Sequence, residues 1–290
     1  MKTARIVEVG PRDGLQNEKA ALSLDAKLAF VERLIGAGLK DIEVGAFVRP
    51  DKVPQMAGSD DLARALPPAP DVTFWALVPN LKGAERAAAA GLKALAVFTA
   101  ASETFSLKNA NVSIAESLAS LKPVADFARN GGMKLRAYVS TCFVCPYEGK
   151  VPPAKAAEVA KALLGMGIGE ISIGDTIGSA TPTQVEEVFR LLLPLAPGTT
   201  WAGHFHDTHG KALANVKAAL DLGISIFDSS AGGLGGCPFA PGAAGNLATE
   251  SLAAFLNGRS IETGVDLDRL RLAAPPLEPL LGHPLRVNRT

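Results

Sequence analysis

Short apolar runs alternate with longer amphipathic segments along the whole chain. A run of a few β-branched residues predicts a buried strand, whereas apolar residues at helical spacing predict a helix packed on one side. On this pattern we predict strands at Ile6–Val9, Asp41–Val44, Val72–Val78, Ala94–Phe98, Lys134–Ser140, Glu170–Ile173, Thr200–His206 and Ser225–Asp228.

The segments between these strands read as helices, and their ends carry the expected local chemistry. Ser23 and Ser113 stand at N-cap positions, and Pro182 follows Thr181 as a first-turn proline. Glycines follow the last apolar residue of several segments, as is typical of helix ends. The predicted helices include Asp25–Ala37, Leu81–Ala90, Ile114–Asn130, Ala154–Met166, Pro182–Leu195 and Lys211–Leu222.

Regular alternation of strands and helices predicts parallel strands joined by right-handed crossovers. Eight such units at near-regular spacing favour an α/β fold of the closed (β/α)8 type, the TIM barrel. An open doubly wound sheet is the alternative, because a strand count does not prove closure. Since no composition break divides the chain, we expect residues 1–258 to form one barrel domain. Residues 259–290 are expected to form a short helical C-terminal extension packed on the barrel.

Composition and charge exclude several classes of partner. Lys plus Arg and Asp plus Glu both number 29, and without a basic stripe we expect no nucleic-acid partner. No apolar run reaches the roughly 18 residues of a membrane helix, so no membrane association is expected. The three cysteines are an odd number and too few for a disulfide scaffold, which favours a reducing cytoplasm.

Unusual polar residues fall where the predicted strands end. The carboxyl ends of the strands form the active-site rim of a TIM barrel, so these side chains are expected to converge there. They are Arg12, Asp13, Glu43, Asp175, His204 and His206.

The His204-Phe205-His206 segment is the most informative of these. Residues two apart on a strand project from the same face, so both imidazoles are expected to point into the barrel mouth. Asp13 follows strand one and Asn246 follows strand eight. Strands seven, eight and one lie side by side in a closed barrel, so both residues could add oxygen ligands. Such a mixed N/O set suits Mg²⁺, Mn²⁺, Co²⁺ or Zn²⁺, and the ligand types do not choose among them.

Two cysteine-bearing segments each allow more than one interpretation. The glycine-rich segment 232–238, which holds Cys237, is either a plain connector or a mobile lid that lays a thiol over the metal. Cys142 and Cys145 form a C-x-x-C pair. A redox pair or a zinc knuckle is disfavoured, because the segment follows a barrel strand and lacks a second ligand pair. Two ordinary thiols in a rim loop are expected instead.

Five segments, in the order of a known family, span almost the whole chain. They are residues 7–18 (VEVGPRDGLQNE), 145–149 (CPYEG), 174–178 (GDTIG), 204–208 (HFHDT) and 235–240 (GGCPFA), the last followed by Gly245-Asn246. Together they resemble the 3-hydroxy-3-methylglutaryl-CoA lyase family of TIM-barrel, metal-dependent lyases. The first and last segments are the most specific to it.

The resemblance implies an activity and a role for each candidate residue. The expected reaction is divalent-metal-dependent cleavage of an acyl-CoA substrate, 3-hydroxy-3-methylglutaryl-CoA, to acetyl-CoA and acetoacetate, by a homodimer. The implied metal ligands are Asp13, His204, His206 and Asn246. Arg12 would face the thioester carbonyl, with Glu43 beside it. Asp175, with His204 as an additional base, would take the hydroxyl proton, and Cys237 would donate a proton to the enolate.

Two departures from the family pattern keep other functions open. Val144 stands where a Gly is familiar, and His209 stands where many relatives carry Tyr. The substrate could therefore be a bulkier 3-hydroxy-3-acyl-glutaryl-CoA.

A Claisen-type synthase running the condensing direction is a second possibility. An acyl-CoA-binding barrel without catalysis is a third, disfavoured because a full set of ligands and acid–base groups is present.

Overall fold

Eight parallel strands close into one barrel in the computed structural model. Each strand pairs with the next along the chain, and the last pairs with the first, which confirms the (β/α)8 barrel and excludes the open sheet. The structure describes residues 2–196, 198–237 and 240–285, with the backbone alone for residues 236, 237 and 240–244. The strands are β1 (Arg5–Glu8), β2 (Asp41–Ala46), β3 (Thr73–Leu77), β4 (Ala94–Ala100), β5 (Lys134–Ser140), β6 (Glu170–Asp175), β7 (Thr200–Phe205) and β8 (Ile226–Ser229).

Helices cover the outside of the barrel and begin where the sequence places their caps. The Ser23 hydroxyl accepts from the Ala26 amide, and Ser113 and Thr181 each form a capping box. The helices are α1 (Leu24–Gly36), α2 (Ser59–Ala65), α3 (Leu81–Ala89), α4 (Glu103–Ala110), α5 (Ile114–Asn130), α6 (Pro153–Gly165), α7 (Pro182–Leu192), α8 (Ala212–Asp221), α9 (Thr249–Asn257), α10 (Leu267–Leu270) and α11 (Glu278–Leu281). Of these, α2, α4 and α9 were not among the predicted helices.

The main apolar core lies between the strands and the helices, while the inside of the barrel is unusually polar. A small cluster inside the barrel comprises Val7, Val9, Ala202 and Ile226. Beside it, the guanidinium of Arg136 on β5 reaches Asp228 on β8, two strands that are not neighbours in the sheet. A contact between such strands crosses the interior, where branched apolar side chains usually fill the space.

Irregular segments at the carboxyl ends of the strands complete the upper rim. Directly after β1, residues Gly10–Gly14 form a π-helical turn. Backbone hydrogen bonds pair Gly236–Cys237 with Ala240–Ala244 in an antiparallel ribbon. A β-bridge between His206 and Asn246 then ties the segment after this ribbon to the end of β7.

The segment after α9 returns to the start of the chain. Ile261–Glu262 pairs in parallel with Lys2–Thr3, and α10 and α11 follow. The division of the chain at residue 258 stays a prediction. Within the part of the chain that is described, none of the helices combines the length and apolarity that crossing a membrane requires.

Candidate metal centre and active-site cavity

A cavity of about 210 Å³ opens at the carboxyl ends of the barrel strands. One side of it is polar and carries Arg12, Asp13, His204 and His206. The lining also includes an apolar wall of Leu77, Phe98 and Phe105. The cavity is therefore where four of the predicted site residues meet.

Asp13, His204 and His206 form a cluster able to hold a metal ion. One ligand atom from each residue lies within 4.8 Å of the other two. The side-chain amide of Asn246 donates to Asp13 Oδ2 at 2.9 Å, which brings the fourth predicted ligand to the same place. The buried Nδ1 of His206 has no hydrogen-bond partner in the described structure. A buried nitrogen without a partner is costly unless something binds there, so the donor set fits a divalent cation.

The protonation states of Asp13 and His206 also suit a metal. Burial raises the pKa of Asp13, but the positive charge of Arg12 outweighs it and holds the pKa at about 2. Burial lowers the pKa of His206 to about 4, so this imidazole is neutral at pH 7. A metal requires an ionised carboxylate and neutral imidazoles as ligands.

Arg12 is held in place by carboxylates on two sides. Its Nε donates to Glu43 Oε2 and its Nη1 to Asp13 Oδ1, both at 2.5 Å. The ring of Tyr138 lies 5.3 Å from the guanidinium carbon, a cation–π distance. Burial alone would lower the pKa of Arg12, but Glu43 and Asp13 raise it above its ordinary value. The guanidinium is therefore a fixed positive charge on the cavity wall.

Asp175 is not among the residues that line the cavity, and its expected place at the substrate hydroxyl stays a prediction. Ser172 and Gly174 line the cavity from β6, and side chains alternate along a strand, so Asp175 points the other way. Its two carboxylate oxygens accept from the backbone amides of Ser179 and Ala180, at 3.0 and 3.1 Å. Burial raises its pKa to about 6. The carboxylate thus organises the loop that follows β6.

The three cysteines fall into two groups. Cys142 and Cys145 are buried free thiols, and the Cys142 thiol donates to the backbone carbonyl of Val139. The predicted proton donor Cys237 belongs to the ribbon whose backbone is described, and its side chain lies outside the described part of the structure. Its role stays a prediction.

Sequence reasoning missed four polar residues inside the barrel: Tyr138 and Ser172, which line the cavity, and Arg136 and Asp228, which are buried. The signal was present, because polar side chains at alternate positions of β5, β6 and β8 share one face. Arg136 and Tyr138 are two apart on β5, as His204 and His206 are around the end of β7. Applying the alternation of side chains to β5, β6 and β8, as it was applied to His204 and His206, would have placed these four side chains inside the barrel.

Fold and site together define a class: a (β/α)8-barrel protein whose upper rim carries a cluster able to bind a divalent cation. The family model described as HMGL-like matches residues 3–275, and the chain belongs to this family. The hydroxymethylglutaryl-CoA lyase of Pseudomonas mevalonii is 48% identical over 97% of this chain and 94% of its own. The 3-hydroxy-3-isohexenylglutaryl-CoA/hydroxy-methylglutaryl-CoA lyase of Pseudomonas aeruginosa is 49% identical over the same shares.

Solved structures agree with these relatives. The crystal structure of hydroxymethylglutaryl-CoA lyase from Pseudomonas aeruginosa superposes with a TM-score of 0.96 at 48% identity, over 99% of this chain and 96% of its own. An HMG-CoA lyase from Acinetobacter baumannii, solved with coenzyme A and 3-methylmalate, has a TM-score of 0.92 at 36% identity, over 98% and 93%.

Proposed function

We propose that this protein cleaves 3-hydroxy-3-methylglutaryl-CoA to acetyl-CoA and acetoacetate, as a divalent-metal-dependent carbon–carbon lyase. The observation that carries the proposal is the meeting of Arg12 with Asp13, His204 and His206 at one cavity. Relatives that match nearly the whole chain are named for this reaction. The reaction needs a group that acidifies a tertiary hydroxyl and a positive charge that stabilises an enolate, and these residues supply both needs.

Asp13, His204 and His206 would hold the cation, with Asn246 as a fourth ligand. A bound divalent cation supplies Lewis acidity to the substrate hydroxyl. Asp13 and Asn246 would supply oxygen ligands, which suit Mg²⁺ and Mn²⁺. We therefore favour Mg²⁺ or Mn²⁺ over Co²⁺ or Zn²⁺.

Arg12 would stabilise the negative charge that develops on the thioester oxygen during cleavage. Its orientation is fixed before substrate arrives, because Glu43 and Asp13 hold two of its nitrogens. A preorganised donor of this kind contributes roughly 3–4 kcal/mol to transition-state stabilisation in comparable sites. Glu43, which is fully buried, acts through Arg12 and not on the substrate.

Two proton transfers complete the proposed reaction. Cys237 would protonate the enolate carbon, supported by its place in a glycine-rich ribbon whose neighbouring residue Gly235 lies against Asn246 and Asp13. Asp175 would take the hydroxyl proton only if the loop at 176–180 releases its carboxylate, since both oxygens are engaged by loop amides.

The test is a coupled assay of acetoacetate release with Mg²⁺ or Mn²⁺, applied to the wild type, Cys237→Ala and His206→Ala. We expect cleavage by the wild type and its loss in both variants. Cys142→Ala and His283→Ala are matched controls, because each removes the same type of side chain from a residue that does not line the cavity, and they should retain activity. A folded, metal-loaded wild type that releases no acetoacetate would refute the proposal.

The apolar wall of the cavity favours a second substrate. Leu77, Phe98 and Phe105 offer more apolar surface than one methyl group needs, and one relative is named for an isohexenyl substrate as well. Val144 and His209, which first suggested a different pocket, do not line the cavity. The two substrates are distinguished by kcat/KM for 3-hydroxy-3-methylglutaryl-CoA and for 3-hydroxy-3-isohexenylglutaryl-CoA. A higher kcat/KM for the isohexenyl compound would make it the preferred substrate.

Product analysis separates the lyase from a condensing enzyme and from a barrel that only binds acyl-CoA. A condensing enzyme given acetyl-CoA and a 2-oxo acid releases free CoA, whereas the lyase forms acetyl-CoA. A binding protein would retain the thioester unchanged in the presence of metal. We expect acetyl-CoA and acetoacetate in equal amounts.

We also propose a homodimer in the cytoplasm. The exposed Leu272 and Leu280 in the segment after α9 supply apolar surface for a subunit contact, and the free thiols of Cys142 and Cys145 suit a reducing compartment. Sedimentation equilibrium of the wild type and of Leu272→Glu tests the dimer. A monomeric wild type would refute it.

A further inference from the structure

Asp228 lies inside the barrel directly below the metal cluster. It belongs to β8, and its side chain has no exposed surface. Three donors from three other strands converge on its carboxylate: Arg136 Nη2 on Oδ1 at 2.7 Å, Ser172 Oγ on Oδ2 at 2.5 Å, and His204 Nδ1 on Oδ2 at 3.2 Å. A carboxylate only accepts hydrogen bonds when it is ionised, so each of these partners must donate.

The contact with His204 determines which ring nitrogen carries the proton. Because Nδ1 donates to Asp228, the neutral ring has its lone pair on Nε2. That nitrogen lies 4.0 Å from Asp13 Oδ2, on the side of the metal cluster. The ring is therefore both oriented and placed in the tautomer that a metal requires of this nitrogen.

Arg136 keeps the Asp228 carboxylate charged and in position. Its guanidinium is fully buried and also pairs with Glu170, Nε to Oε1 at 3.1 Å. Glu170 in turn contacts Arg5, whose Nη1 pairs with Asp41 at 3.0 Å near the opposite end of the barrel. A chain of alternating charges thus runs through the interior and ends at His204. Such a chain is costly to bury unless each member has a partner.

The two candidate histidine ligands differ in this respect. His204 is tethered through Nδ1, whereas Nδ1 of His206 has no hydrogen-bond partner in the described structure. Of the two rings, His204 has its Nδ1 tied to the buried charges, which leaves Nε2 for the cation, whereas His206 presents a buried Nδ1 that is open to a ligand.

We infer that Asp228 is a positioning residue of the metal centre: it fixes the Nδ1–H tautomer and the orientation of His204 so that Nε2 faces the cation. The inference rests on the metal centre of the proposed function and adds a residue that acts through His204 without touching substrate. Arg136 and Ser172 support it by holding the two carboxylate oxygens.

Asp228→Asn tests the inference, because it changes one atom's chemistry and little volume. Arg136 requires an acceptor at the Oδ1 position, so the new amide nitrogen would face His204 Nδ1. The ring would then accept at Nδ1 and carry its proton on Nε2, which blocks ligation. We expect Mn²⁺ affinity, measured by calorimetry, to fall about 10- to 100-fold. Asp221→Asn is the matched control: it makes the same substitution at an exposed carboxylate that pairs with Lys217, and it should leave the affinity unchanged.

A second readout does not depend on metal or on activity. Two-dimensional ¹⁵N–¹H spectra of the metal-free protein report the tautomer of each imidazole, and the chain has only 4 histidines. His206→Gln, His209→Gln and His283→Gln assign the signals. We expect the Nδ1–H tautomer for His204 in the wild type and the Nε2–H tautomer in Asp228→Asn. If that variant does not fold, the wild-type spectrum alone decides.

Two results would overturn the inference: an Nε2–H tautomer of His204 in the wild type, or a folded Asp228→Asn variant that binds Mn²⁺ like the wild type. A wild type that binds no Mn²⁺ would instead refute the metal centre itself. A wild type that binds Mn²⁺ but does not cleave 3-hydroxy-3-methylglutaryl-CoA would refute the proposed substrate. The tautomer of His204 and the Mn²⁺ affinity would still test the positioning role of Asp228.

Discussion

Arg12 Nε lies 2.5 Å from Glu43 Oε2, and this pair joins the π-helical turn after β1 to the interior of β2. A bulge in the pairing of β2 with β3 follows Glu43 directly, where Glu43 and Gly45 oppose consecutive residues of β3. The Arg12 side chain spans from this carboxylate to Asp13, one of the proposed metal ligands. The position of the charge on the cavity wall is thus tied to the position of the metal.

Arg12→Lys tests whether the shape of the guanidinium matters in addition to its positive charge. A lysine keeps the positive charge but has a single ammonium group, which cannot reproduce the fork that contacts two carboxylates. We expect kcat to fall roughly 10²- to 10³-fold, the loss typical of one preorganised donor, with Mn²⁺ affinity nearly unchanged. Steady-state kinetics and calorimetry measure the two effects. Arg49→Lys, at an exposed pair with Asp51, is the control, and a wild-type kcat in Arg12→Lys would contradict the proposed role.

Metal binding should stabilise the fold through His206. A ligand that binds only the native state adds about 2.7 kcal/mol at a concentration of 100 times its Kd. We therefore expect MnCl2 to raise the Tm of the wild type, EDTA to reverse the rise, and His206→Ala to abolish it. Differential scanning calorimetry measures the shift. His283→Ala should keep the full rise, since this imidazole contacts Glu18 at the surface. An unchanged rise in His206→Ala would exclude His206 as a ligand.

Much of the fold and part of the site follow from sequence. The eight strands were predicted within one or two residues, because parallel barrel strands are buried on both faces and read as continuous apolar runs. The same alternation rule placed His204 and His206 on one face. Short helices such as α2 escaped prediction because seven residues give little periodicity.

Asp175 shows what sequence could not give. Its position at the end of β6 placed it at the rim, but the side of the strand that it faces depends on register, and a shift of one residue reverses that side. The tether between Asp228 and His204 was equally hidden, since it joins residues on different strands through a three-dimensional contact. The position of a residue at the end of a strand predicted that it lies at the rim. Which polar side chains share the cavity became visible only from the contacts between strands.

Stability should depend on pH through Glu8, a buried carboxyl outside the metal cluster. It accepts from the amides of Gly10 and Ala231 and from the Thr249 hydroxyl. Burial nevertheless raises its pKa from 4.5 to about 7, and the nearby Glu250 adds to the rise. A carboxyl whose folded pKa is raised contributes stability below its unfolded pKa and loses that contribution as pH rises through the folded pKa.

We therefore expect the Tm of the wild type to fall between about pH 5 and pH 8, and to fall less in Glu8→Gln, which has no proton to lose at this position. Thermal unfolding followed by circular dichroism across this range measures the slope. Glu85→Gln on an exposed position of α3 removes the same charge at the surface and should keep the wild-type slope. Parallel slopes for the wild type and Glu8→Gln would show that Glu8 is ionised throughout.

Gly178, in the loop after β6, should resist substitution because of a close contact and not only because of its backbone angle. Its φ of +66° favours glycine, and an added Cβ would lie 2.8 Å from the backbone nitrogen of Thr208 in the loop after β7. Gly210 has nearly the same φ, +67°, with nothing within 4 Å of an added Cβ. Gly210→Ala therefore costs the backbone strain alone, about 1–2 kcal/mol, whereas Gly178→Ala adds overpacking of typically 1–3 kcal/mol. Urea denaturation of both variants isolates the contact, and equal losses of unfolding free energy would show that the two loops do not press together at this point.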